Sequence, residues 1–70
     1  MVIQKASDIG KAIRQKRKEI GMTQTEAAGL CNVGIRFLSE LENGKPTLEI
    51  DKVLQVVSMF GFSMSMRNKT

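Results

Sequence analysis

The chain has 70 residues, enough for one domain whose core is marginal by itself. Its apolar content of 41% argues against wholesale disorder, and one cysteine with no histidine excludes an internal disulfide and the ordinary zinc-ligand sets. The formal charge is +4, with six of the eleven basic residues in the first eighteen positions, a balance that suits a polyanionic partner such as nucleic acid or, equally, a solvated basic helix.

Residues 1–6 read as a flexible arm. Ser7 then reads as a helix N-cap, with Asp8 in the first turn, where the helix dipole favours a negative charge. Ile9, Ile13 and Ile20 recur at helical spacing beside Ala12, and Gly21 is a stop signal, so a first helix is expected over 8–20. Lys16 falls on that stripe and is expected to snorkel from its rim. Thr23 and Glu26 match a capping box that opens a short second helix over 24–31. Asn32 follows, a residue type that tolerates the left-handed conformation of a sharp turn. A third helix is expected over 34–42, with Leu38 and Leu41 inward and Asn43-Gly44 as its end. A fourth follows a Thr47 cap, with Glu49 and Asp51 in its first turns. Its apolar face is Ile50, Val53, Leu54, Val57 and Phe60, and Gly61 stops it.

The period then changes. Phe62, Met64 and Met66 alternate with Ser63, Ser65 and Arg67, which predicts a strand over 62–67 before a tail over 68–70. A lone strand needs a partner for its backbone groups. The same strand of a second subunit supplies one about a two-fold axis, with a frayed tail as the alternative.

The segment from Gln24 to Leu41, QTEAAGLCNVGIRFLSEL, is the informative part. Two short helices, a tight turn, small residues in the first helix and aliphatics in the second form a helix-turn-helix layout, whose second helix enters the major groove. With Leu38 and Leu41 inside, the opposite face carries Ile35, Arg36, Ser39 and Glu40. Arg36 suits a bidentate contact to guanine, Ile35 a thymine methyl and Ser39 a base or phosphate, while Gly34 permits close approach. Phe37 is expected in the core rather than in the groove. Gln24, at the amino end of the second helix, suits a phosphate. No nucleophile–base pair or Gly-rich phosphate loop is present, and Cys31 lies among Ala and Leu, so neither catalysis nor a cofactor is expected. No apolar run spans a bilayer and nothing resembles a signal peptide. A cytoplasmic location, on the nucleoid when DNA-bound, is expected.

GMTQTEAA at 21–28 and RFLSELENGKPT at 36–47 resemble the Cro/C1-type (Xre-type) helix-turn-helix family. With FGFSMSMR after the fourth helix, the chain is most similar to HipB-type antitoxin-regulators over 7–67. The resemblance implies an all-α, compact four-helix repressor-like domain over 7–61, with a dimerisation strand over 62–67 pairing across a homodimer. It also implies a backbone clamp from Asn43, Gly44 and Lys45, and a partly buried ion pair between Arg17 and Glu42. The implied partners are double-stranded DNA, a palindrome with half-sites about 34–36 Å or a multiple of that apart, and a HipA-type kinase toxin. A phage-type or stand-alone repressor and a protein-interaction adaptor are the alternatives. Two departures, Asn32 where Gly is frequent in the turn and Gly34 at the start of the reading helix, leave base preference open.

Overall fold

In a computed structural model that describes residues 2–69, four helices follow one another as α1 (Ala6–Ile20), α2 (Gln24–Cys31), α3 (Ile35–Glu42) and α4 (Ile50–Met59). Their boundaries come largely from local chemistry. At α2 the Glu26 N–H donates to Thr23 Oγ1 at 3.1 Å, and the Thr23 N–H donates to Glu26 Oε1 at 2.9 Å. The Thr23 backbone N–H, and after it the Thr23 hydroxyl, hold the Glu26 carboxyl below the usual carboxylate range. Thr23→Ala removes one of these bonds and is expected to cost about 1 kcal/mol, read as an earlier urea midpoint. An unchanged midpoint refutes the cap's contribution.

Each helix is followed by a residue in the left-handed region: Gly21, Asn32, Gly44 and Gly61. Asn32, at φ 56°, is the non-glycine among them. There the Val33 N–H donates to the Ala28 carbonyl at 3.0 Å and the Asn32 N–H to the Gly29 carbonyl at 3.2 Å, satisfying two end carbonyls and turning the chain sharply into α3.

The core forms where the helices converge. Ile13 of α1, Ala27, Ala28 and Cys31 of α2, Leu38 and Leu41 of α3, and Val53, Val56 and Val57 of α4 are buried, with Phe60 closing the end. Ala27 and Ala28 are small enough for α3 to cross α2 closely. Phe37 packs half-buried against this cluster, on the core side as expected.

Several boundaries and faces differ from the sequence expectations. Helix α1 begins at Ala6 rather than 8, and Ser7 is not its cap. Instead Asp8 Oδ2 reaches back to accept from the N–H groups of Gln4 at 2.9 Å and Lys5 at 3.2 Å, which carries the helix into the expected arm. Ile20 leaves the apolar stripe and is exposed. Helix α4 is capped at Glu49 rather than Thr47. Its buried face is Val53, Val56 and Val57, whereas Ile50 and Leu54 are exposed, because α4 packs on α2 and α1 along a line rotated from the expected stripe.

No strand occurs among the described residues. The expected strand at 62–67 is irregular, since one copy of the chain offers it no ladder. Phe62, Met64 and Met66 are all exposed. The expected arm and tail each include a residue, Met1 and Thr70, outside the described range.

Candidate nucleic-acid interface

Helix α3 is divided lengthwise by its own sequence. Leu38 and Leu41 are buried, which turns Ile35 and Arg36 outward and leaves Ser39 and Glu40 half-buried at the margin. The Arg36 side chain is 91% exposed, so it projects from the first turn into solvent. Gly34 caps α3 without a side-chain bond, and a Cβ built there meets nothing, so the approach to the helix amino end is open.

The turn after α3 brings Asn43, Gly44 and Lys45 beside it. Asn43 and Lys45 are exposed. Gly44 is constrained twice: its φ is 82°, and a Cβ there lies 2.8 Å from Cβ of Ser7 in the first turn of α1. The Lys45 N–H donates to the Glu40 carbonyl at 3.0 Å, and its Nζ lies 3.1 Å from Glu40 Oε2. Arg36 Nε lies 3.7 Å from the same oxygen.

Behind this face lies a buried polar cluster joining three helices. Arg17 of α1 donates through Nε to Glu42 Oε2 at 2.7 Å and through Nη2 to Glu42 Oε1 at 2.9 Å. Its Nη1 donates to the Met22 carbonyl at 2.9 Å, so the guanidinium is satisfied on three sides. Gln24 Nε2 donates to Glu42 Oε1 at 3.1 Å. Burial pushes the Glu42 carboxyl up, but the bonds from Arg17 and Gln24 and the charges of Arg17 and Arg14 outweigh it, so the group ends below its ordinary value.

Gln24 therefore sits differently from the sequence expectation. Its amide nitrogen already serves the buried carboxylate, with one N–H left over. The Thr23 cap occupies the Glu26 N–H, which leaves the N–H groups of Gln24 and Thr25 as the open donors of the first α2 turn.

Two residues near this surface were not singled out from sequence. Lys52 of α4 sets its ammonium 5.9 Å from the Phe37 ring centroid, a pairing across fifteen positions that no local pattern signals. Gly10 lies inside α1 against the carbonyls of Leu41 and Glu42 at the end of α3. An isolated glycine within a helical stripe is the signal that marks such a site.

Cys31 is fully buried and its thiol is pushed up by burial, as befits an inert core group. Among the described residues, no three His, Cys, Asp or Glu side chains are placed to hold a metal ion. No helix among them is long and apolar enough to cross a membrane.

The sequence profile of the helix-turn-helix family matches residues 13–66. An uncharacterized HTH-type transcriptional regulator of Sinorhizobium fredii is 48% identical over 62 residues, which span 89% of this chain and 82% of that protein. Two solved structures, a HipB–O4 20mer complex and a HipA–HipB–O2–O3 complex, each superpose with a TM-score of 0.85 at 18% identity, covering 100% of this chain and 99% of the matched chain. At that identity the likeness is one of fold.

Proposed function

This chain belongs to the helix-turn-helix family and is a DNA-binding transcriptional regulator, and from that premise we propose that it represses transcription by placing α3 in the major groove of a palindromic operator as a homodimer. The observation that carries this reading is the division of α3. Leu38 and Leu41 anchor one side in the core, while Ile35, Arg36 and Ser39 present a thymine-methyl contact, a guanidinium fork and a hydroxyl on the other.

The flanking groups fit the two backbones. The open N–H groups of α2, with the remaining N–H of Gln24, suit one phosphate. Asn43, the Gly44 loop and Lys45 suit another. A single reading helix covers few base pairs, so a second copy is needed for a useful site. The exposed apolar side chains of Phe62 and Met64, with unpaired backbone between them, supply a surface for that second copy.

In the fuller form of this reading, the protein is the antitoxin of a HipA-type kinase toxin–antitoxin operon. The RFLSELENGKPT and FGFSMSMR segments support it, as does the fold shared with HipB in its complex with HipA. An adjacent gene for a kinase-like protein separates this role from a stand-alone repressor.

Selection from random duplex DNA with the purified protein tests the core of the proposal, with a palindromic consensus as the expected result. On the selected duplex, Arg36→Ala is expected to weaken binding by about 1–3 kcal/mol and to relax preference at one base pair per half-site. Recovery of no consensus, or unaltered preference in the variant, removes α3 as the reading element.

A further inference from the structure

Arg36 and Lys45 are the only basic residues between positions 19 and 51, so they are the whole cationic complement of α3 and the loop that follows it. Both reach one atom. Lys45 Nζ lies 3.1 Å and Arg36 Nε 3.7 Å from Oε2 of Glu40. The arrangement is partly fixed, because the Lys45 backbone N–H also donates to the Glu40 carbonyl at 3.0 Å.

We propose that Glu40 is an internal counter-charge that sets specificity by occupying Arg36 and Lys45 until the correct duplex displaces it. This rests on the DNA-binding reading of α3 given above. It revises the sequence expectation for Glu40, which placed it among the residues that touch bases.

The physical case has three steps. First, the Glu40 side chain is 29% exposed and that of Lys45 45% exposed, so the pairs are surface pairs that exchange readily with another anion. Second, on an arbitrary duplex the phosphates must compete with Glu40 for both cations, while its carboxylate faces the backbone charge. Non-specific affinity is mostly phosphate neutralisation, so it falls most. Third, on the matched site Arg36 exchanges one oxygen at 3.7 Å for the fork-shaped acceptors of a base edge, which offsets the loss there only.

The test compares the protein with its Glu40→Gln variant on two probes. One is the palindromic duplex recovered by selection, and the other is a scrambled duplex of equal length, both titrated from about 50 to 200 mM salt. The variant is expected to bind the scrambled duplex roughly threefold to tenfold more tightly, with a log–log salt slope steeper by about one ion. Its gain on the palindrome is smaller, so the specificity ratio falls. Glu40→Ala is expected to behave alike, since charge rather than shape carries the effect. Unchanged or weaker binding to the scrambled duplex overturns the proposal. So does a loss confined to the palindrome, which would make Glu40 a direct acceptor for a base. If selection with the unaltered protein recovers no palindrome and it binds no duplex at low salt, the α3 reading itself fails, an outcome distinct from normal binding with an indifferent variant.

Discussion

Glu42→Ala is expected to lower the unfolding free energy by about 3–5 kcal/mol, a large share of what a domain this size holds. The reason is what remains behind. The Glu42 side chain is 2% exposed and that of Arg17 11%, so removal of the carboxylate leaves a buried guanidinium with only the Met22 carbonyl as partner. Gln24 loses its acceptor in the same step. Urea unfolding followed by circular dichroism measures the loss, and a change below about 1 kcal/mol would mean that the cluster is solvated in solution. Replacing Arg17 and Glu42 together with apolar residues of similar size is expected to cost less than either single change, because no charge is stranded.

The same cluster sets an acid limit. The folded Glu42 carboxyl lies below its ordinary 4.5, so its contribution is fully present above that value. It is lost as the pH falls through the lower folded value, where the native state must take up the proton. The acid limb of the stability curve should therefore flatten in Glu42→Gln, a variant that cannot titrate there.

Gly10→Ala is the second large effect, with an expected net loss of roughly 2–3 kcal/mol. Alanine would ordinarily stabilise a helix interior by about 1 kcal/mol over glycine. Here its methyl group would overlap the carbonyl oxygen of Leu41 and lie 3.1 Å from that of Glu42. Both obstacles are backbone, so no rotamer change relieves them, and α1 and α3 must part. Their separation also stretches the Arg17–Glu42 pair, which couples this position to the previous one. Thermal melting decides the matter: a variant that melts at or above the parent temperature shows that the two helices are not held at this spacing.

Much of the interface was legible along the chain. The bounds of α2 followed from Thr23, Glu26 and Asn32, and the outward turn of Ile35 and Arg36 on α3 followed from the spacing of Leu38 and Leu41, with Ser39 and Glu40 at the half-buried margin. These signals act within a turn or so of the residues that carry them. The start of α1 was missed because Asp8 caps it by reaching backwards, against the Ser7 signal beside it. On α4, Val53, Val57 and Phe60 are buried as the spacing predicts, but Ile50 and Leu54 are exposed and Val56 goes inside, because all are similarly apolar and sequence spacing fits more than one stripe.

The sequence by itself determined where each helix stops, which side of α3 is anchored, and the sign and scarcity of charge around it, since hydrogen-bond reach along one chain and helical period settle those. Tertiary structure alone decided that Gln24 spends an N–H on Glu42, that Gly10 must stay bare, that Lys52 meets Phe37, and which apolar residues of α4 go inside. Each of those depends on an opposing element that lies far away in the chain. Burial and the strength of a polar contact are properties of the neighbour as much as of the residue.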